Sequence, residues 1–180
     1  MMSSNILRCG AALFVVSLAA LPACKKSGED VGAVAQLRNP EGGLVGEATF
    51  EEVEGGVRIH FEGQNLPPGT HGFHIHQNGE CMSPSFESAG DHFNPTNMQH
   101  GLENPAGPHA GDLPNLEVDI NGRAEVDVIA KGVTLDQSGA ASLVAGNGTA
   151  LIIHADPDDQ VTDPSGNAGA RIACGVIRMQ

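Results

Sequence analysis

The chain has 180 residues, enough for one domain with a sizeable core and short for two. It contains no Trp and no Tyr, only 6 Phe, and carries a formal net charge of -13. This excludes nucleic-acid binding, because phosphate repels such a chain and there is little aromatic surface on which a base can stack.

The first segment reads as an address. Arg8 opens an apolar run from Cys9 to Ala20, shorter than the ~20 residues a membrane-spanning helix needs, and Leu21-Pro22-Ala23 breaks it. Residues 1–23 are therefore expected to be a cleaved signal peptide. Leu21-Pro22-Ala23-Cys24 resembles a bacterial lipobox, which makes Cys24 a lipidated first residue, residues 24–30 a tether and residues 31–180 the folded domain. Plain secretion with cleavage nearby is the alternative. Either way the expectation is export to the periplasm or cell envelope, with a lipid anchor at Cys24 in the first case. Cys9 leaves with the signal. Cys81 and Cys174 then remain in a compartment where disulfides persist, as one bridge or as two buried thiols.

From Val31 onward the signals are for strands: Gly32 to Leu37, Val45 to Phe50, Val57 to Phe61, His71 to His76, Leu116 to Ile120, Ala124 to Val128, Leu151 to His154 and Ala173 to Ile177. Alternating side chains around Gly55-Gly56 predict one hairpin, and those around Asn121-Gly122 a second. No stretch sustains a helical period, so the expected class is all-β, a sandwich or barrel. Gly79 to Pro114 and Ala155 to Gly169 interrupt the strands. Both are rich in Gly, Pro, Asn and Asp, and loops of that length in a compact domain are functional or held by something.

Histidines collect in the first loop and beside it. His74 and His76, two apart in an extended segment, point to one side while Ile75 faces the core. His92, His100, His109 and Asp112 follow in a loop with little apolar content of its own, and three imidazoles with one carboxylate suit Zn²⁺. His154 closes a strand expected to run beside the His74 strand. Six His and one Asp offer seven donors, whereas two four-coordinate ions need eight positions. An imidazole that has lost its proton has two nitrogen donors and could serve both ions, a bridge the sequence accommodates. An electron-transfer copper protein needs a Cys thiolate with two His, and Cys174 is followed by Met179 but by no His.

These residues carry a family resemblance. Gly72-Phe73-His74-Ile75-His76, Ser88-Ala89-Gly90-Asp91-His92-Phe93-Asn94-Pro95, Gly111-Asp112-Leu113 and the stretch from Gly166 to Ile177 resemble the copper/zinc superoxide dismutases in order and spacing. The resemblance implies an eight-stranded Greek-key β-barrel with two long functional loops. It implies copper on His74, His76, His92 and His154, and zinc on His92, His100, His109 and Asp112, with His92 the bridging imidazolate. It further implies a Cys81–Cys174 disulfide, an Asp158 carboxylate linking ligand imidazoles of the two sites, and a structural, non-ligand His71. The implied reaction is disproportionation of superoxide to O₂ and H₂O₂, with Arg171 docking the anion and His92 donating a proton. The molecule is expected to be a monomer or homodimer. His60 has no role in this pattern and reads as a strand residue. Asp91 stands where many relatives carry Pro or Gly and is expected to face solvent. The loop from His154 to Arg171 is shorter than in the animal enzymes and lacks their lysine and glutamate set, with Pro164 and Ser165 at the place of a Lys and a Thr.

Overall fold

The computed structural model describes residues 32–180, so the expected signal peptide and tether, with Cys24, lie outside the described residues. Among the described residues ten strands form: β1 (Ala33–Arg38), β2 (Leu44–Val53), β3 (Gly56–Gly63), β4 (Gly69–His71), β5 (Phe73–His76), β6 (Leu116–Val118), β7 (Ala124–Lys131), β8 (Ala150–His154), β9 (Arg171–Val176) and β10 (Arg178–Met179). One turn of 3₁₀ helix, Glu87–Ala89, is the one helical element among the described residues. An antiparallel sheet runs in the order β5-β8-β9-β1-β2-β3-β7, with β10 also on β1, and curls around the core; β4 and β6 form a separate pair. The all-β expectation holds.

Alternation explains the curled sheet. Leu37, Phe50, Ile59, Phe61, Phe73, Ile75, Leu151 and Ile153 are fully buried in one cluster, each with more polar neighbours on its strand or a second buried face. Phe61 and Phe73 meet with ring centroids 5.6 Å apart. Strands β8 and β9 are covered on their other face too. There Ile152 and Ala150 pack with Phe86, Ala89 and the disulfide-bonded Cys174, so the first long loop lies against the sheet.

Two expectations are corrected. The segment His71 to His76 is not one strand: it divides at Gly72 into β4, which pairs with β6, and β5, which pairs with β8. Gly72 sits where a Cβ would come within 2.7 Å of the Ala168 side chain, and its carbonyl accepts the His154 N–H. Only glycine lets the chain cross between sheets there. Nor do the segments around Asn121-Gly122 form a hairpin ladder. The turn closes, with Asp119 Oδ1 accepting the N–H groups of Asn121 and Arg123, but β6 goes to β4 and β7 pairs with β3 along its length. The β2–β3 hairpin does form, turning at Gly55 with φ of 88°. Strand β8 runs antiparallel to β5, placing His154 next to the His74 strand.

Candidate metal centre

Strand β5 aims His74 and His76 out of the sheet on the side opposite Ile75, into a region closed by both long loops. His74, His76, His92 and His154 bring one ligand atom each within 4.8 Å of one another, and so do His92, His100, His109 and Asp112. His92 belongs to both groups. All seven side chains are buried.

The second group is drawn around one oxygen. Asp112 Oδ1 lies 2.8 Å from His92 Nδ1, 3.0 Å from His100 Nδ1 and 3.3 Å from His109 Nδ1. A tetrahedral ion with bonds of about 2.0–2.1 Å holds its ligand atoms about 3.3 Å apart, close to these separations. The other carboxylate oxygen is already engaged: Oδ2 accepts the backbone N–H groups of Gly101 and His109, both at 2.9 Å. Asp112 is thus oriented with one oxygen free for an ion.

The remaining imidazoles are each tethered by one nitrogen. His76 Nδ1–H donates to the Gly90 carbonyl at 2.8 Å, His154 Nδ1–H to that of Gly169 at 3.2 Å, and His74 Nε2–H to Asp158 Oδ2 at 2.7 Å. This sets the tautomer and leaves the opposite nitrogen an acceptor. His76 Nε2 and His154 Nε2 stand 3.4 Å apart. His74 Nδ1, His92 Nε2 and His109 Nδ1 are buried without a hydrogen-bond partner. Buried nitrogens left orphaned cost stability, and a bound cation satisfies them. On that observation the residues fit two metal ions.

Asp158 ties the two groups together. Its other oxygen lies 3.0 Å from His100 Nε2, and Asn115 holds its backbone through two bonds of 2.8 Å. His74, His100 and Asp158 also cluster, but by nitrogens facing away from the two centres, so they form a brace between them.

Burial and these contacts set the protonation of the metal-free chain. Desolvation pushes His74 down to about 4 and His154 to about 3, and takes His76 well below its ordinary value. For His100 burial acts downward too, but its bonds to Asp112 and Asp158 outweigh it and raise it to about 9. Burial disfavours ionised Asp112 and Asp158, yet the imidazole and N–H donors around them hold both below the ordinary carboxylate range.

Arg171, the first residue of β9, is gripped by two backbone carbonyls. Nη1 donates to Phe86 at 2.6 Å and Nη2 to Gly90 at 2.7 Å. It lines a cavity of about 530 Å³ together with His76, His92 and His154. Asp91 is exposed as expected, yet it too lines this cavity, as do Asp163, Pro164 and Ser165. His71 stays outside both groups, bridging the His154 and Pro67 carbonyls at 2.8 Å each. His60 faces solvent on β3, 3.1 Å from Asp127. Cys81 and Cys174 are joined as a disulfide. The Gly90, Phe86 and Gly169 carbonyls carry no side-chain signal, and sequence reasoning missed them.

A curled antiparallel sheet, a half-barrel, bearing two adjacent histidine-rich centres that share one imidazole defines a binuclear metalloprotein. The model of the copper/zinc superoxide dismutase family matches residues 44–177, so the chain belongs to that family, whose cofactors are copper and zinc. A Cu-Zn superoxide dismutase of Aquifex aeolicus is 50% identical over 151 residues, 83% of this chain and 88% of that protein. The superoxide dismutase-like protein YojM of Bacillus subtilis is 46% identical over 144 residues, 79% of this chain and 74% of that protein. A crystal structure of a SOD-like protein from Bacillus subtilis superposes with a TM-score of 0.76 at 46% identity, covering 79% of this chain and 96% of that one.

Proposed function

We propose that this chain disproportionates superoxide, with copper held by His74, His76, His92 and His154 and zinc by His92, His100, His109 and Asp112. The observation that carries the assignment is His92, whose Nδ1 sits in the Asp112 group while its Nε2, buried and unpartnered, faces the other. Copper bound there would supply alternating one-electron chemistry: one superoxide is oxidised to O₂, and the next is reduced, with uptake of two protons, to H₂O₂.

The chain's own groups do the rest. The Arg171 guanidinium, fixed by Phe86 and Gly90, keeps N–H donors for a small anion entering the cavity. His92 Nε2 would hold and deliver one of the two protons the departing peroxide takes up, the other coming from water, while Nδ1 stays in the Asp112 group and keeps the ring in place. Asp158 fixes His74 and His100 together, so a shift in one ring is resisted by the other.

The envelope placement belongs to the same reading. The Leu21-Pro22-Ala23-Cys24 pattern and the disulfide support export, cleavage before Cys24 and lipid attachment there, with residues 31–180 as the enzyme domain. The mass of the mature N-terminal peptide tests this. For the reaction, metal content is measured alongside disproportionation before and after copper removal. One copper, one zinc and copper-dependent turnover are expected. Zinc alone, with no gain on copper addition, contradicts the assignment.

A further inference from the structure

Each imidazole that serves one centre alone has a nitrogen turned away from it. On His74 and His100 that nitrogen meets Asp158, and on His76 and His154 it donates to the Gly90 and Gly169 carbonyls. His109 is the exception. Its Nδ1 is buried and unpartnered beside Asp112, and among the described residues its Nε2 makes no hydrogen bond. What that nitrogen faces is a charge: Asp163 Oδ1 lies 3.8 Å from it.

Asp163 reaches His109 from a distant part of the chain. It belongs to the loop between β8 and β9, whereas His100 and His109 belong to the loop between β5 and β6. Its Oδ1 also accepts the His100 backbone N–H at 2.6 Å, a charge-assisted bond that fixes the carboxylate in place. The two loops stay joined without it. The Gln160 carbonyl accepts the Glu103 N–H at 3.0 Å, and Asn104 Nδ2 donates to the His100 and Val161 carbonyls at 2.9 and 3.2 Å. The Asp163 charge is therefore not what anchors the loop, and it works against the anion. Among the residues lining the cavity, Asp91 and Asp163 set two carboxylates against the one guanidinium of Arg171.

We propose that Asp163 is a positioning residue for the zinc ligands, a second carboxylate support that acts on His109 and His100 and leaves the copper ligands alone. This rests on zinc being held by His92, His100, His109 and Asp112. An ion on His109 Nδ1 takes the lone pair of that nitrogen, so the ring's proton sits on Nε2 and points at Asp163. A carboxylate there fixes the plane of the ring and makes it a stronger donor to the ion. Supports of this kind are worth roughly 10–100-fold in metal affinity. The Asp163 side chain is 48% exposed and screened by water, which sets its share at the low end. The same charge strengthens zinc retention and weakens the pull on superoxide.

Asp163→Asn isolates the charge, because its amide oxygen still accepts the His100 N–H. In the metal-loaded, disulfide-intact protein, zinc release to a chelator is expected to quicken about tenfold while copper release keeps the native rate. Disproportionation at low salt, read before zinc is lost, is expected to rise roughly twofold, what one unit charge about 8 Å away is worth in water. Asp163→Glu keeps the charge and holds zinc better than the amide. Asp127→Asn removes an equal charge from the outer face of β7 and leaves zinc release unchanged. Zinc release at the native rate in Asp163→Asn overturns the proposal, as does copper lost along with zinc. So does a fall in the disproportionation rate, the mark of a loop merely loosened. A native protein that takes up no zinc overturns the ligand assignment, and the proposal with it.

Discussion

Arg171 and Gly90 are joined by a 2.7 Å hydrogen bond to a carbonyl that also accepts from His76 Nδ1 at 2.8 Å. The group proposed to receive the anion and a proposed copper ligand therefore hang from one backbone oxygen. Anything that moves the loop at Gly90 moves both.

Arg171→Ala removes the cation and one of the two donors that hold the Gly90 carbonyl. We expect turnover at low substrate to fall roughly tenfold, with Arg171→Lys between, because lysine keeps the charge but cannot grip two carbonyls at once. The rate in the native protein falls with rising salt, and the variant's salt dependence is flatter. A native rate that rises with salt, as the net charge of -13 alone dictates, contradicts local focusing by Arg171.

Asp91 works against Arg171. Its carboxylate lines the same cavity and acts on the same guanidinium. Asp91→Asn is expected to raise the low-salt rate of the loaded enzyme of the order of twofold, what one unit charge is worth about 8 Å away in water. Stopped-flow decay of superoxide measures it, and an unchanged or lower rate removes Asp91 from the electrostatics of the mouth.

Asp158→Asn tests the brace. An amide can accept from one of His74 and His100 but turns its NH₂ toward the other, leaving a buried donor facing a donor, at a cost of about 1–3 kcal/mol. Metal affinity falls about 10–100-fold, as chelator competition reads for each ion. Loss confined to one ion, with the other unchanged, contradicts a shared support.

The metal-free chain has opposed titrations. His74 and His154, depressed to about 4 and about 3, contribute stability that is present above pH 6.5 and lost as the pH falls below it. His100, raised to about 9, contributes stability that is present below pH 6.5 and lost as the pH climbs through 9. Denaturant midpoints of the metal-free, disulfide-intact protein are expected to peak near neutrality and fall on both sides. The loaded protein is flatter on the acid side down to about pH 5, since its ligand nitrogens hold ions in place of protons. A metal-free midpoint that rises on acidification rejects the buried neutral imidazoles.

Much of this was legible in the residues. Strand alternation exposed most of the sheet, and His74-Ile75-His76 declared two imidazoles on one side because period two leaves no other option. What stayed hidden depended on long-range placement. The division at Gly72 arises because Ala168 and His154 crowd the spot from distant segments. Strands β6 and β7 look like a hairpin locally, yet each pairs with a strand elsewhere, β6 with β4 and β7 with β3 along its whole length. The Gly90 carbonyl has no side chain to betray it, and the pairing of Arg38 with Cys174 is a matter of register across a non-local strand pair.

The central claim is that His92 serves two ions at once. Its most direct test replaces zinc by Co²⁺ in the copper-loaded protein and records the copper electron paramagnetic resonance spectrum. A shared His92 imidazolate couples the two spins, so the copper signal is expected to be strongly attenuated and to return when the second site is emptied or refilled with zinc. A full-strength, uncoupled copper signal with both sites filled contradicts the bridge and, with it, the mechanism built on His92.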